Sequence, residues 1–488
     1  DIAYRKLKKL HPRLYQYTSK EDLDAAFNTL KKSINKPMNS RVFYEKLAPV
    51  IAEVRQGHAG LFSPTKRYSK KEEKELNKKK LEFSSLRFEH LDNGLWIKNT
   101  LGEDSTIVGS RVVKIDSEPV AGLIDKYKKY FASDGYNTTF HDKKTARGFY
   151  SFYYADKGLK DSLLVTLSNE DGVYEKMFRR IPRDSTSKKP IKKDSLEQKK
   201  PKPTKAEKKL AKLKRKEKQK EDYKYGYIKS LKHYNRNLDF IGKDSSVAFL
   251  KIRAFKYGNH EDFYKEVFTK LDSAKTKNLI IDLRNNGGGR LEEIHEIYSY
   301  LTDKEFKFVE EGEIKTSIPT LKAFMGNGGS VGFQIFKGIF APILLTRDLI
   351  KTHKVDGKKY YKFKESKMQP PKDLNFKGNV YVIINGYSFS SSSVITNYLQ
   401  ATKRAIVVGE ESGGAYNSTV AGQTKSLTLP NSKVGLYFGM MVLETPFKTE
   451  PDGYGIKPDV EIIPTAKDRQ NNIDPELQWI LKDIEKKK

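Results

Sequence analysis

The stretch Asn385-Gly386-Tyr387-Ser388-Phe389-Ser390-Ser391-Ser392-Ser393-Val394 follows directly on an apolar run at 380–384. A short run rich in β-branched residues reads as a buried strand. Residues 392–402 read as a helix, with Val394, Ile395, Tyr398 and Leu399 on its apolar face. A serine cluster at such a junction sets a hydroxyl at a helix N-terminus, where free backbone N–H groups and the helix dipole stabilise a developing oxyanion. The rival reading is a serine-rich helix cap.

Roughly a hundred residues earlier runs Asn278-Leu-Ile-Ile-Asp-Leu-Arg-Asn-Asn-Gly-Gly-Gly289, again a strand ending in glycines before a helix with Leu291, Ile294, Ile297, Tyr298 and Leu301 on one face. Three consecutive glycines let the backbone approach a ligand closely. A phosphate loop is the competing reading, but neither the Gly-Lys-Ser/Thr ending nor the GxGxxG spacing is present. Two further pieces follow in order, Val407-Val-Gly-Glu-Glu-Ser-Gly-Gly414 and Pro451-Asp-Gly-Tyr-Gly-Ile-Lys-Pro-Asp459. Together these four motifs resemble the C-terminal-processing (tail-specific) serine protease family, which also includes the tricorn protease core.

That resemblance implies Ser390 as nucleophile, with an oxyanion hole made by the N–H of Ser391 and that of Gly288. Relatives often carry proline, which has no donor, at the position of Gly287. A serine hydroxyl needs an adjacent base. The tail-specific branch supplies a lysine where this chain has Ala415, so the base is sought among eight histidines. His11, His90, His141, His233, His260, His295 and His353 read as surface or satisfied side chains. His58 lies in the glycine-flanked turn Arg55-Gln-Gly-His-Ala-Gly60 after an apolar helical stretch. This resembles the Gly-His segment of tricorn-like members, where the histidine is the general base. The same branch has an acidic residue at the place of Asp452, which would orient His58; Glu450 is the neighbouring alternative. Glu410 and Asp459 read as structural.

The expected fold class is α/β (α+β overall). It comprises a ClpP/crotonase-like catalytic core with βαβ units at 223–488, a helical segment at 1–62 that delivers His58, a Lys-rich loop at 63–83 and an inserted PDZ-like domain at 84–182. The last rests on Thr106-Ile-Val-Gly-Ser-Arg-Val-Val-Lys-Ile-Asp-Ser-Glu-Pro-Val120 and holds an aromatic-rich insertion at 130–156. Such domains bind extended chain ends by adding a strand, although no Gly-Leu-Gly-Phe-type carboxylate loop is found. A Lys/Pro-rich linker fills 183–222, with a short charged helix after Thr204, and Asp474-Pro475 reads as the cap and first turn of a C-terminal helix.

The net charge of +31 invites a nucleic-acid reading. Residues 188–222 alone hold 16 Lys and Arg against 6 Asp and Glu, so a third of the surplus sits in the linker. Basic and aromatic residues do not interleave as on a base-stacking surface, and no nucleic-acid partner is expected. The partners expected are protein or peptide substrates. The chain has no cysteine, which excludes disulfides and thiolate metal sites, and no cofactor or metal is expected. No apolar run reaches the ~18 residues of a membrane span. The resemblance implies a bacterial cell-envelope protein, periplasmic or lipid-anchored in the outer membrane, with a leader removed ahead of Asp1. The alternative function is a catalytically inactive peptide- or ligand-binding protein on the same fold.

Overall fold

The strands expected around the two motifs lie side by side. The computed structural model describes residues 1–64, 66, 68–101, 104–183, 204–242, 244–326 and 331–487. In it, one six-stranded sheet runs in the order Arg236–Ile241, Val247–Ile252, Asn278–Asp282, Asn379–Ile384, Ala405–Gly409, Val460–Glu461. The first pair is antiparallel and the rest are parallel. Asn278–Asp282 and Asn379–Ile384 are neighbours in register, Asp282 opposite Ile383. Their carboxyl ends, where the glycine run and the serine cluster begin, therefore emerge together, as expected for ligand sites of open parallel sheets. Helices cover both faces, which is why these strands read as unbroken apolar runs. Ile294, Ile297, Ile395 and Leu399 pack on one face, and Ile480 and Ile484 of the C-terminal helix Pro475–Lys486 on the other. That helix begins as expected, with the Asp474 carboxylate accepting the Leu477 N–H at 3.0 Å.

A second sheet is antiparallel. Its long strand Gly435–Leu443 pairs with Gly60–Phe62, Gly312–Ile314 and Thr419–Thr428. The Gly60–Phe62 strand thus stitches the N-terminal helices Ile2–Leu10, Lys20–Ser33 and Ser40–Ala52 to the C-terminal half. A third sheet orders Lys79–Leu81, Gly172–Pro182, Ser162–Asn169, Arg111–Ile115, Gly94–Asn99 and Arg87–Leu91. The aromatic-rich stretch is largely one helix, Thr139–Lys157, whose Phe140, Phe149 and Tyr153 are buried. The basic helix after Thr204 is longer than its sequence suggests, Lys205–Tyr225. It has no buried residue and starts at a capping box between Thr204 and Glu207. The rest of the linker, 184–203, lies outside the described residues. No helix among the described residues is long and apolar enough to cross a membrane.

Candidate active site

Polar side chains weld the two motifs. The Asn385 amide oxygen accepts the N–H groups of Asn285 (3.0 Å) and Tyr387 (3.1 Å). Arg284 bridges Asp282 at 2.8 Å and Asp474 at 2.8 Å. Although burial alone would raise the Asp282 carboxyl, Lys251 and Arg284 hold it well below the usual carboxylate range.

The serine cluster is sorted by its hydrogen bonds. Ser388 Oγ donates to the Leu283 carbonyl (2.8 Å), Ser391 Oγ to Gly289 (2.9 Å), Ser392 Oγ to Asn286 (2.8 Å) and Ser393 Oγ to Ser388 (3.3 Å). Four serines therefore replace missing backbone bonds at a crowded turn. Among the described residues of the cluster, the Ser390 hydroxyl alone is uncommitted. Ser390 precedes the helix Ser391–Ala401 with φ 58° and ψ −121°, a conformation that costs roughly 1–3 kcal/mol for a residue with a side chain. The surrounding bonds impose it: Phe389 N–H donates to Asn286 (3.0 Å) and Ser392 N–H to Phe389 (3.1 Å).

Of the two oxyanion donors implied by the resemblance, Ser391 opens the helix, so its N–H has no partner within the helix. Gly288 sits against the cluster: a Cβ built on it would lie 2.7 Å from Ser390 Cβ and 2.9 Å from Ser391 N, with φ +93°. Only glycine fits there. Its N–H, however, donates to the Asn286 amide oxygen at 2.9 Å. In this state Gly288 is an engaged donor rather than a free one.

His58 reaches the same place from the N-terminal segment. A Cβ on Gly57 would meet the Phe389 ring at 2.4 Å, and the His58 and Phe389 rings lie 5.1 Å apart. Burial first, and the Lys144 charge second, push the imidazole down to about 4, so it is neutral at physiological pH. Its Nε2 is buried without a hydrogen-bond partner, and no bond joins it to Ser390 in this state.

Asp452 does not touch the His58 ring. Its carboxylate accepts from Gln16 Nε2 (3.0 Å) and the Gly453 N–H (2.7 Å), and Gln56 Nε2 donates to Gln16 Oε1 (3.2 Å). The path from Asp452 thus ends two residues short of the histidine. Glu450 is exposed and accepts the Asp452 N–H at 3.2 Å. A third carboxylate, missed in the sequence, is closer. Asp134 accepts the Gly57 N–H at 2.8 Å, while its Oδ2 is buried with no partner. Burial, only partly offset by the Gly57 N–H, lifts its carboxyl to about 6. Lys144, with its ammonium 4.2 Å from the Phe131 ring centre, is pushed down to about 8 by burial against the pull of Asp134. In sequence, Ser133-Asp134-Gly135 looks like any turn; only an unpartnered buried oxygen marks it.

Asp134, Ser390, Ala415 and Thr419 line one cavity of about 10 Å³, the room of a single water. Ser390 is 7% exposed. The site is closed.

The site thus brings together an uncommitted hydroxyl on a strained turn, a helix N-terminal N–H and, across Phe389, a neutral histidine. Residues 246–462 match the model of peptidase family S41. The tail-specific protease of Haemophilus influenzae (strain ATCC 51907 / DSM 11121 / KW20 / Rd) is 26% identical over 172 residues, 35% of this chain and 17% of that protein. The fold is similar to that of mature CPAF, with TM-score 0.59 and 14% identity over 96% of this chain and 92% of that one. Mature CPAF complexed with lactacystin gives TM-score 0.59 and 15% identity over 96% and 93%.

Proposed function

We propose that this protein is a serine-type endopeptidase acting on protein or peptide chains. The observation that supports this most is the uncommitted Ser390 hydroxyl in a cluster where every other serine is bonded to a backbone carbonyl. Ser390 Oγ attacks a peptide carbonyl and His58 takes its proton. The Ser391 N–H holds the oxyanion, joined by the Gly288 N–H once the Asn286 side chain releases it. His58 then protonates the leaving amine, and water hydrolyses the acyl-enzyme. A buried imidazole forms an imidazolium only beside a negative charge. Asp134 supplies that charge beside the His58 turn, and Asp452 steadies the turn through Gln16 and Gln56.

A cavity of about 10 Å³ admits no peptide, so substrate enters when the loop carrying Asp134 and the His58 turn draw back from Phe389. The module at 84–182 is suited to take the extended chain by strand addition, and a bacterial cell-envelope location fits the family resemblance. The closed site and the absent Ser390–His58 bond favour one second reading, a binding protein on the same fold. A fluorophosphonate probe separates the two. Covalent labelling that disappears in Ser390→Ala supports the peptidase; a parent protein that stays unlabelled, including with a peptide substrate present, supports the binding protein.

A further inference from the structure

The helix Val331–Lys351 is built inside out. At 100° per residue, Phe336, Ile339, Phe340, Ile343 and Ile350 fall on one stripe. In a helix laid on a protein, such a stripe faces the core. Here all five are exposed, from 40% for Phe340 to 75% for Ile350. The groups turned inward are charged. Asp348 is buried and accepts the Leu321 N–H at 2.9 Å, and Lys337 is buried and donates to the Gly326 carbonyl at 2.9 Å. Two polar anchors hold the helix down and leave its apolar face outward. A contiguous apolar surface of this kind marks an interaction site.

The charge around the stripe points to its partner. Residues 336–367 hold nine Lys and Arg against three Asp and Glu. The hairpin Thr352–Val355 and Lys358–Tyr361 follows the helix directly, and its register sets Lys354 opposite Lys359. Like charges directly opposite across a strand pair repel, and an anionic surface relieves that repulsion. A second copy of the chain would bring the same lysines, and another net charge of +31, against the first.

We propose that this helix and hairpin dock the protein on an anionic lipid surface. The Phe/Ile stripe lies in the interface plane and enters the boundary between headgroups and acyl chains. Lys354 and Lys359, which share one face of the hairpin, meet the lipid phosphates. The proposal stands apart from the peptidase reading, because its readouts do not involve turnover.

The test is co-sedimentation of the full chain with vesicles of phosphatidylcholine alone or of phosphatidylcholine and phosphatidylglycerol in equal parts, at low and physiological salt. The mixed vesicles should bind about tenfold better or more, less so as salt rises. Ile339→Asp with Ile343→Asp, and separately Lys354→Glu with Lys359→Glu, should each cost about tenfold or more with an unchanged Tm. Independently of those variants, Ile343→Trp should give a blue-shifted emission when mixed vesicles are added. Absence of binding to the mixed vesicles, equal binding to both compositions, undiminished binding of the Ile339→Asp/Ile343→Asp protein, or an unshifted Ile343→Trp emission overturns the proposal. So does a dimer in sedimentation velocity that Ile339→Asp/Ile343→Asp dissolves while vesicles stay unbound, which assigns the face to a second copy.

Discussion

Ser390 and the His58 turn flank Phe389 from two sides and are held there by regions of different character. The serine stands at the end of a central parallel strand, and hydrogen bonds that its cluster donates to carbonyls of the adjacent Asn286–Gly289 stretch fix its geometry. The histidine rides on a short turn from another part of the chain. That turn is kept in place by one buried carboxylate, a glutamine pair and an aromatic contact. The first arm is fixed by bonds between two adjacent strand ends, whereas the second is tied in by the Gly60–Phe62 strand, the Gly135 N–H to Arg55 carbonyl bond (2.8 Å) and those few side chains. The small cavity lined by Ser390 and Asp134 lies between the two arms, so access to the Ser390 hydroxyl depends on how they part.

The comparison can be broken from either side. Ser390→Ala should lower turnover on the order of 10⁶-fold with an unchanged thermal midpoint, measured on a peptide substrate beside a melting curve. If Ser388→Ala or Ser392→Ala is the inactive variant instead, the nucleophile is misplaced. Those two should lose stability, because each removes a bond to a buried carbonyl worth about 1–3 kcal/mol. His58→Ala should cost nearly as much turnover as Ser390→Ala, since nucleophile and base act as a unit. Retention of most activity would move the base elsewhere, with Lys144 the first to examine.

The next effect separates the carboxylates. Asp134→Asn keeps the shape and an acceptor for the Gly57 N–H but removes the charge, and should lower turnover about a hundredfold or more, within the ~10⁴ of the serine-protease precedent. Asp452→Asn, acting through two glutamines, should cost less, and Glu450→Gln should be mild. The reverse order of the first two would make Asp452 the orienting group despite its distance from the ring.

The pH dependence sharpens the same point. With Asp134 at about 6 and His58 at about 4, activity should fall on acidification with a limb near 6, which shifts toward 4 in Asp134→Asn. Stability carries opposite signs. Asp134 binds its proton more tightly folded than unfolded, so acidification from about 6 toward 4 stabilises through it. His58 binds its proton less tightly folded, so the same acidification destabilises through it. The two roughly cancel in the parent. Asp134→Asn leaves the histidine unopposed and should lose on the order of 2 kcal/mol more than the parent between pH 7 and 4.5, read from thermal melts.

The smallest effect is steric. A Cβ on Gly57 would press into the Phe389 ring, so Gly57→Ala should cost about 1–3 kcal/mol and lower turnover without abolishing it. An unperturbed Gly57→Ala enzyme would mean that the turn already stands clear of Phe389 in solution.

The sequence alone determined the core sheet, the two strand-to-helix turns and the C-terminal cap at Asp474, because each is written in contiguous residues with a local physical cause. An apolar run ends in glycine or serine, and a carboxylate precedes proline. The family resemblance pointed to His58. The linker helix was legible in kind but not in length, since charged residues carry no periodicity to mark where a helix ends. Tertiary structure decided the rest. Ser133-Asp134-Gly135 is a turn in sequence and a buried carboxylate in space, because its cost and its use both come from residues 77 positions away or farther. Gly288 reads as a donor until Asn286, two residues before it, is seen to occupy its N–H. The 331–351 helix carries an apolar stripe, Phe336, Ile339, Phe340, Ile343 and Ile350. Only folding shows which face two buried charges have turned inward, because hydrophobic periodicity states that a helix has two faces and packing alone chooses between them.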